Sequence, residues 1–308
     1  MRIFYLVQAH TNPQQLNRMI NIMNEKQTVF LIHIDAKSNI ELFKKCCQYP
    51  NVHFIDNRIN CIWGDFSQVQ ATLNLIYELE HFDVQPEDRI ELKSGQDYPL
   101  KKSIEVSEFY KENVSVEFIE ILLAQESFPR PYLNFKGYKI NRSDKRGDYV
   151  IFKKHNFTGI YKSLLKGCFK FKYLKYFFNE KKLNNSIEFY KGSNWWSLSY
   201  KTLKKIIDYY HQDYNNLHPF FKHSFCVDEY FFQTLLMKIM EQDSSIKIKP
   251  TITYVDWFRK GVPLPVTFTL EDSDLLLEMS KQDFLNARKF DAENHSDILD
   301  WIDKNILD

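Results

Sequence analysis

The apolar run Ile3-Phe4-Tyr5-Leu6-Val7, followed by the polar-ended Gln8-Ala9-His10, decides the class of fold. Five consecutive apolar residues predict a strand buried on both faces of a sheet. A helix is predicted directly afterwards, from Asn12-Pro13 to about Asn24, because its apolar residues recur at helical spacing. A buried strand joined to an amphipathic helix indicates the repeating unit of an α/β fold.

The same alternation continues through the first hundred residues. Strands are predicted at Val29–Ile34, Val52–Ile55 and Arg89–Leu92, helices at Ile40–Cys46 and from Ser67 as the N-cap to about Leu79, and a turn at Gln96–Pro99. Alternation of apolar strands with helices predicts a mostly parallel central sheet with helices on both faces. Ligands of such sheets bind beyond the carboxyl ends of the strands, so the informative loops are 8–11, 35–38, 61–67 and 94–97.

The composition excludes several classes of protein. The 308 residues include 41 Lys and Arg and 40 Asp and Glu, for a formal charge of +1, which excludes an acidic disordered chain and a histone-like polycation. The eight glycines form neither G-x-G-x-x-G nor a P-loop. A dinucleotide-binding Rossmann domain and a P-loop NTPase are therefore disfavoured.

The cysteines and the apolar segments predict a cytoplasmic protein. The five cysteines are odd in number and lack C-x-x-C spacing: Cys46, Cys47, Cys61, Cys168 and Cys226. They are interpreted as reduced thiols, and the nine histidines are not clustered as a zinc site would require. The first apolar run is too short for a signal peptide, and no stretch approaches the roughly 18 apolar residues of a membrane span.

One domain, 1–308, is predicted, with three regions at 1–120, 121–186 and 187–308. In the last region, strands are predicted at Ile187–Tyr190, Trp195–Leu198, Ile246–Ile248 and Ile252–Val255, and helices at Tyr200–Tyr210, Asp228–Met240, near Glu271–Met279 and near Ser296–Ile306. The region 121–186 lacks this regularity and is rich in basic and aromatic residues. It is interpreted as a variable insertion.

Within the insertion, the segment 161–182 carries seven lysines and one acid, Glu180, interleaved with aromatic and aliphatic residues. One interpretation is a helical segment whose rings pack on the domain while the lysines lie in solvent. The other is a surface that contacts anionic lipid headgroups. The first is slightly favoured. Nucleic acid is the least favoured partner, because the rest of the chain has no excess of positive charge.

Two short motifs have charges suited to group transfer. Asp228-Glu229 opens a predicted amphipathic helix, with Asp228 as its N-cap and Glu229 in the first turn, where the helix dipole favours an ionised carboxylate. Such a carboxylate suits a general base, although ordinary capping explains it equally. Arg288-Lys289 could neutralise a diphosphate or be a solvated basic pair.

The remaining candidates are less specific. Asp272-Ser273-Asp274 is the only D-x-D, but it begins a helical pattern, which indicates helix capping rather than a metal site. Trp63, Trp195 and Trp257 lie near the ends of predicted strands. They could stack on a base or a sugar, or be ordinary core and rim aromatics.

Seven motifs occur in a fixed order along the chain: YLVQAH (5–10), IHIDAKS (32–38), WGDFSQVQA (63–71), KSGQDYPL (93–100), GSNW (192–195), DEYFFQT (228–234) and ARKFD (287–291). This succession resembles the core-2/I-branching β-1,6-N-acetylglucosaminyltransferase family, which also contains the peptide O-xylosyltransferases. The resemblance covers almost the whole chain except about 121–186. It indicates a compact bacterial-type member without the membrane anchor and stem of the animal enzymes.

The resemblance implies a GT-A-like fold and inverting, metal-independent transfer from a UDP-sugar, without a cofactor. By matching motifs, Glu229 is the expected catalytic base, and Arg288 and Lys289 are expected to stabilise the departing diphosphate. The region 1–120 becomes the nucleotide-binding half and the region 187–308 the acceptor and catalytic half. The remaining residues implied for the donor are Gln8, Ala9, Asp35, Trp63, Gly64 and Asp97, and those implied for the acceptor are Glu120, Trp195 and Trp257.

The expected reaction moves a sugar, N-acetylglucosamine first of all, to a glycan hydroxyl in bacterial surface polysaccharide or lipid-linked oligosaccharide synthesis. The alternatives are another donor, such as UDP-xylose, UDP-glucose or UDP-galactose, or a non-catalytic UDP-sugar- or glycan-binding protein. Segment 161–182 would then rest on the inner face of the plasma membrane. The sequence departs from the animal enzymes at 264–267, where their further arginine is missing, and it lacks their disulfide cysteines.

Overall fold

A computed structural model of the chain describes residues 1–183 and 187–308. The last residues of the predicted insertion, 184–186, lie outside the described residues. The strands are β1 Ile3–Ala9, β2 Thr28–Ile34, β3 Val52–Phe54, β4 Arg89–Ser94, β5 Asp97–Pro99, β6 Val116–Phe118, β7 Leu122–Leu123, β8 Tyr138–Asn141, β9 Tyr149–Phe152, β10 Tyr190–Lys191, β11 Ser197–Ser199, β12 Lys247–Lys249, β13 Thr253–Val255 and β14 Asn286–Arg288.

The α-helices connect these strands. They are α1 Pro13–Met23, α2 Ile40–Cys46, α3 Phe66–Glu78, α4 Ser103–Glu112, α5 Ala124–Ser127, α6 Pro129–Phe135, α7 Thr158–Leu165, α8 Leu174–Phe178, α9 Tyr200–Gln212, α10 Tyr214–Lys222, α11 Phe231–Met240, α12 Ser273–Ser280 and α13 Asp297–Ile302. Short 3-10 turns lie at Leu79–His81, Phe171–Tyr173, Val227–Glu229 and Leu270–Asp272, and a π-helical turn at Asp303–Leu307 follows α13.

The central sheet has seven strands in the order β12-β6-β11-β4-β1-β2-β3. Strand β1 runs parallel to β2 and β4, β2 is parallel to β3, and β12 is parallel to β6. Only β11 runs against its neighbours in this sheet, in the part of the chain that the structure describes. Gln8 at the end of β1 lies opposite His33 and Ser94, so three strands end together. The mixed α/β fold with a mostly parallel sheet is confirmed, in agreement with a GT-A-like fold.

Helices cover both faces of this sheet because alternate strand residues point to opposite sides. Phe4 and Leu6 belong to the core shared with α3, α9 and α11. Tyr5 and Val7 belong to the core shared with α1, α2 and α13. All four side chains are at most 2% exposed, which explains why β1 is an uninterrupted apolar run.

A second, three-stranded sheet, β13-β14-β5, was not predicted. The predicted turn at Gln96–Pro99 is wrong in part, because Asp97–Pro99 forms β5 and pairs antiparallel with β14. A strand of three residues is too short to show a period. Its partner strand lies almost 200 residues away, so no local sequence pattern predicts the pairing.

Two predicted helix caps are also wrong. Asp65, not Ser67, caps α3, because its side chain accepts from the backbone N–H of Ser67 at 3.0 Å. Ser67 instead accepts from the backbone N–H of Ile62. Asp228 does not cap α11: it lies inside the 3-10 turn Val227–Glu229, and its buried Oδ1 has no partner among the described residues.

Several strand and helix boundaries move. The strand predicted at Ile187–Tyr190 begins only at Tyr190, and that predicted at Trp195–Leu198 begins only at Ser197. The predicted last helix continues past Ile302 as the π-helical turn. Within residues 1–183 and 187–308, every helix is too short or too polar to cross a bilayer.

The described part of the insertion contains α5 to α8 and the hairpin β8–β9. The expectation that its lysines lie in solvent fails for Lys181. This side chain is only 4% exposed and donates to the Phe135 carbonyl at 2.8 Å and to the Ser224 hydroxyl at 2.6 Å. Burial lowers the pKa of Lys181 well below its ordinary value.

Candidate active site

The loop from β10 to β11 holds the carboxylate of Glu229. The Lys191 ammonium lies 2.5 Å from Glu229 Oε2, and both side chains are mostly covered, with exposures of 15% and 28%. The backbone N–H of Gly192 donates to the Glu229 carbonyl at 3.0 Å. Glu229 is thus fixed at its backbone and at its carboxylate by two consecutive residues.

Glu120 positions the same loop. Its Oε2 accepts from the backbone N–H of Ser193 at 2.7 Å. A Cβ atom on Gly192 would lie 1.8 Å from the Glu120 carbonyl oxygen, so only glycine fits there. The predicted acceptor residue Glu120 therefore contacts Ser193, which lies two residues after Lys191, the partner of Glu229.

At the far end of this loop, Trp195 meets Arg288. The guanidinium lies over the indole ring at 4.3 Å from its centroid, a distance typical of cation–π contacts. Lys191 and Trp195 are four residues apart, which is at most about 14 Å of extended chain. Glu229 and Arg288 are therefore brought to the two ends of one short loop, although they are almost 60 residues apart in sequence.

Asp97 orients Arg288. Its Oδ1 accepts from Arg288 Nη1 at 2.8 Å and its Oδ2 from the backbone N–H of Ser94 at 2.9 Å. The two residues face each other across β5 and β14. Burial raises the pKa of Asp97, and the Arg288 charge opposes that rise. Both carboxylate oxygens accept hydrogen bonds within the protein. In this structure Asp97 therefore holds Arg288 in place and does not face an open site.

Asp35 shapes the loop after β2. Its Oδ1 accepts from the backbone N–H of Lys37 at 2.8 Å and its Oδ2 from that of Cys61 at 3.2 Å. The next-but-one residue upstream, His33, accepts from the backbone N–H of Ile59 at 2.8 Å. The aspartate and histidine of the motif at 32–38 therefore both fasten the loop 59–61 to β2.

Gln8 and Ala9, at the end of β1, contact α3 and Gly95 at the carboxyl edge of the central sheet. The Gln8 amide donates to the Gln68 carbonyl and to the Thr72 hydroxyl of α3, at 3.1 and 2.7 Å. Ala9 lies so close to Gly95 that a Cβ there would approach the Ala9 Cβ to 2.8 Å. Both residues lie at the carboxyl edge of the sheet, where they were predicted.

Trp63 and Gly64 provide a second connection to Glu229. Gly64 adopts the left-handed conformation with φ of 64°. Its carbonyl accepts from the backbone N–H of Cys226, three residues before Glu229, at 3.0 Å. The neighbouring Trp63 is 43% exposed, and the Arg146 guanidinium lies 4.5 Å from its ring centroid.

Lys289 sits among like charges. Its pKa is lowered by burial and then by the Arg288 and Arg146 charges, with Asp291 opposing. Among residues 1–183 and 187–308, no carboxylate lies within 4 Å of the Lys289 ammonium. A half-buried cation surrounded by other cations favours an anion. The predicted pair Arg288-Lys289 is thus part of a cationic cluster of three residues, with Arg146 as the third.

Sequence reasoning missed several side chains of this region. Partial burial lowers the pKa of His10, and the Arg288, Lys37 and Lys289 charges lower it further while Asp35 raises it. His10 therefore lies within reach of the cationic cluster, and its place in the first motif was the available signal. For Lys191 and Arg146, nothing in the sequence indicated their partners.

Two predicted groups remain apart. Asp272 forms a capping box with Thr269 and lies 2.6 Å from the Arg259 guanidinium, which confirms helix capping for the D-x-D. Trp257 is 48% exposed in the loop after β13. In the described part of the chain its side chain makes no ring contact or hydrogen bond with the other candidate residues.

Burial and the neighbouring Glu229 raise the pKa of Asp228. The residue before the candidate base is thus the one that resists ionisation. The Glu229 carboxylate pairs with Lys191, whereas the Asp228 carboxyl is enclosed, so burial and the neighbouring charge give the two groups different roles.

Comparison with known proteins identifies the family. A model of the core-2/I-branching enzyme family matches residues 3–284. The chain is similar to the rat β-1,3-galactosyl-O-glycosyl-glycoprotein β-1,6-N-acetylglucosaminyltransferase 3, with 24% identity over 44% of this chain and 30% of that protein. Bovine xylosyltransferase 2 is 28% identical over 39% of this chain and 14% of its own length. Mouse N-acetyllactosaminide β-1,6-N-acetylglucosaminyl-transferase is 28% identical over 35% and 27%.

These alignments cover less than a third of each relative's length, whereas the family match extends over nearly all of this chain. Arg288 and Lys289 lie just beyond the matched range. The match includes the motifs that contain Asp35, Asp97 and Glu229. The chain therefore belongs to the core-2/I-branching enzyme family.

Proposed function

We propose that the chain is an inverting glycosyltransferase that moves a sugar, N-acetylglucosamine first of all, from a UDP-sugar to a glycan hydroxyl. One observation carries the proposal: the loop 191–195 pairs with the Glu229 carboxylate at one end and with the Arg288 guanidinium at the other. A base and a cation held at the two ends of one short loop suit transfer between an acceptor and a diphosphate. Family membership supports the same reaction class.

In the proposed reaction, Glu229 acts as the general base. Its carboxylate accepts the proton of the acceptor hydroxyl as that oxygen forms a bond to the anomeric carbon. The bond from the anomeric carbon to the phosphate oxygen breaks, and the electron pair leaves with UDP. Because the attack comes from the face opposite the leaving group, the anomeric configuration inverts.

Arg288 and Lys289 would stabilise the negative charge that develops on the departing diphosphate. Arg288 is held by Asp97 and by the Trp195 ring, so it is positioned before the donor binds. Such preorganised charges are a major source of transition-state stabilisation. Two cations of the chain would thereby take the role of a divalent metal, and the chain is proposed to need no metal or cofactor.

The involvement of Asp272 with Thr269 and Arg259 supports this metal-independent route, since the only D-x-D is engaged elsewhere. Transfer should be unchanged after exhaustive EDTA treatment. A requirement for added Mn²⁺ or Mg²⁺ would contradict the route.

The decisive experiment replaces Glu229 by Gln, which preserves size and removes the base. UDP affinity should stay within about twofold, while transfer falls by about 10²–10⁴-fold, the contribution of general base catalysis. Glu241→Gln, at the other end of α11 and exposed, is the matched control. Full transfer by Glu229→Gln would remove this residue from the mechanism. UDP binding without transfer in the wild type would favour the non-catalytic alternative.

The donor would be identified by a panel of UDP-sugars. A ligand that binds only the folded state raises the melting temperature, so thermal shifts rank the candidates. UDP-N-acetylglucosamine should give the largest shift. A larger shift with UDP-xylose, UDP-glucose or UDP-galactose would replace the donor and keep the reaction class. Transfer to a candidate glycan must then yield a product.

An exposed apolar surface supports an acceptor at a membrane. Large apolar side chains of the insertion face solvent, among them Phe157, Leu165 and Phe171 with exposures of 68%, 69% and 83%. Exposed lysines are interspersed with them along the chain, at positions 162, 166, 170, 172 and 175. Exposed apolar side chains interspersed with lysines suit an anionic bilayer surface. We therefore propose a cytoplasmic enzyme that rests on the inner face of a bacterial plasma membrane and acts in surface polysaccharide or lipid-linked oligosaccharide synthesis.

Vesicle binding tests this surface. The chain should bind vesicles that contain phosphatidylglycerol more strongly than pure phosphatidylcholine vesicles. Phe171→Ser should lower the partition coefficient at least about tenfold, as expected for removal of one buried phenyl ring. Ile104→Ser removes a side chain of 58% exposure from α4 and is the control. Equal binding by Phe171→Ser and wild type would contradict the proposed surface.

A further inference from the structure

The hairpin β8–β9 of the insertion is fastened to the edge of the candidate donor site. Lys139 Nζ lies 3.1 Å from Asp65 Oδ2, and Asn141 donates to the same oxygen at 2.7 Å. Asn60 donates to Asp144 in the hairpin loop at 2.6 Å. The hairpin therefore contacts the loop 60–65 on both sides of Trp63. The ion pair between Lys139 and Asp65 sets the position of the hairpin, and it is buried on the lysine side, since Lys139 is only 3% exposed.

Within this hairpin loop, Arg142 pairs with a carboxylate, whereas Arg146 does not, among the residues that the structure describes. Arg142 pairs with Asp148 at 2.7 Å, and Ser143 donates to the same carboxylate at 2.6 Å. Arg146 is exposed, and in the described part of the chain no carboxylate lies within 4 Å of its guanidinium. Its contact is with the face of Trp63. Stacking on a ring uses the face of the guanidinium and leaves its N–H edge free for an acceptor.

The Arg146 charge reaches the cationic cluster at the end of β14. Loop 60–65 and Lys289 both lie at the carboxyl edge of the central sheet: the backbone N–H of Cys61 donates to Asp35 after β2 at 3.2 Å, and that of Phe290 donates to the Gln96 carbonyl after β4 at 2.9 Å. Across this edge the Arg146 charge lowers the pKa of Lys289, as the Arg288 charge does. Three cations from two distant segments thus lie near one another, and an anion bound in the space among them would offset their mutual repulsion. The stretch 264–267 contributes no cation to this space.

We propose that Arg146, carried by the β8–β9 hairpin, is a third phosphate-binding cation that closes over the donor diphosphate opposite Arg288 and Lys289. The inference rests on the proposed function, because it assigns a residue to the donor site of that reaction. The planar fork of Arg146 would bind two phosphate oxygens at once, while Trp63 holds its plane. The insertion is then part of the donor site and not only a surface addition.

Binding of UDP and of uridine to the full chain, measured by calorimetry, separates this role from a general one. Arg146→Ala should weaken UDP binding by about tenfold to a hundredfold, as loss of a charge-assisted hydrogen bond predicts. Uridine binding should stay within about twofold, because uridine has no phosphate. Arg146→Lys should restore part of the UDP affinity, since it keeps the charge but loses the fork.

Lys145→Ala is the matched control, because it removes an equal charge from the adjacent exposed position. Its UDP affinity should change less than twofold. UDP affinity equal to wild type in Arg146→Ala would overturn the inference and leave the proposed function intact. An equal loss of UDP and uridine binding would also overturn it, because the residue would then shape the loop around Trp63. A wild-type chain that binds no UDP would overturn both.

Discussion

Gly192 offers a sharp test of the loop that connects the candidate base to the candidate diphosphate site. In Gly192→Ala the new Cβ would lie 1.8 Å from the Glu120 carbonyl oxygen, where real contacts are essentially never shorter than 3.0 Å. The loop must therefore move by more than 1 Å. Gly192 donates to the Glu229 carbonyl and Ser193 to the Glu120 carboxylate, so this shift displaces the base and its lysine partner together.

The expected magnitude follows from that displacement. Misplacing a reacting group by about 1 Å costs about 10²-fold in rate, so kcat/KM for transfer should fall about a hundredfold. The overpacked loop should also lose about 1–3 kcal/mol of stability. Transfer from the UDP-sugar identified above and the melting temperature give the two measurements, and activity is compared well below the melting point of the variant.

Gly167→Ala separates the two effects. Gly167 has φ of 62°, and a Cβ added there would meet no atom within 4 Å, so alanine strains the backbone without pushing a neighbour. This variant should lose about 1 kcal/mol of stability and keep its transfer rate. If Gly192→Ala transfers sugar at more than half the wild-type rate, the loop does not position Glu229, and the reasoning fails.

Three further predictions concern buried titratable side chains. Burial lowers the pKa of His33 to about 4, so its contribution to stability is present above pH 6.5 and is lost as the pH falls to 4. Urea titrations should show a loss of about 3 kcal/mol over that range that His33→Gln lacks. Burial and Glu229 raise the pKa of Asp228 from 3.8 to about 7, so wild-type stability falls as the pH rises between these two values. Asp228→Asn should therefore melt several degrees higher than wild type at pH 8.5 and show no advantage at pH 4. Asp97→Asn leaves Arg288 without its buried partner and should cost about 3–5 kcal/mol in urea unfolding at pH 7. An unchanged unfolding midpoint would refute that ion pair's importance.

The sequence predicts best those elements that local pattern alone determines. Strand β1 was predicted at Ile3–Val7 and extends to Ala9, and the first helix was predicted within one residue of α1. Both have a full period of buried residues within a dozen positions. The order of short motifs also predicts the family, because each motif lies at a strand end or helix start that the fold needs in sequence.

The pairings between distant segments were beyond sequence reasoning. Arg288 faces Asp97 across two three-residue strands, and Lys191 reaches Glu229 from a strand of two residues. Such short strands have no period to detect. The motifs predicted that Asp97, Glu229 and Arg288 matter, but not that Asp97 would orient Arg288. That relation depends on the second sheet.

Burial of single charges was the other failure. Lys181 was predicted outside with its neighbours, yet it lies under Phe135 and Phe220 at 5.4 and 4.3 Å from their centroids. Asp228 was predicted as a helix cap, yet it is enclosed in a 3-10 turn. Composition gives the number of charges in a segment but does not show which of them faces inward. For Lys181 this depends on Phe135 and Ser224, which lie several dozen residues away.

The geometry of loop 191–195 bears on how charge moves in the proposed reaction. Proton transfer to Glu229 turns the neutral Glu229–Lys191 pair into a net positive one, while negative charge grows on the diphosphate beside Arg288. The Cα atoms of Lys191 and Trp195, which carry the two contacts, are at most about 14 Å apart, and we take this as the order of the charge separation. At that distance opposite unit charges attract by about 1 kcal/mol in a medium of intermediate polarity. Lys191 orients the base, and its charge resists the loss of negative charge from Glu229, so the electron flow toward UDP has to be favoured from the other end, where Arg288 and Lys289 meet the diphosphate.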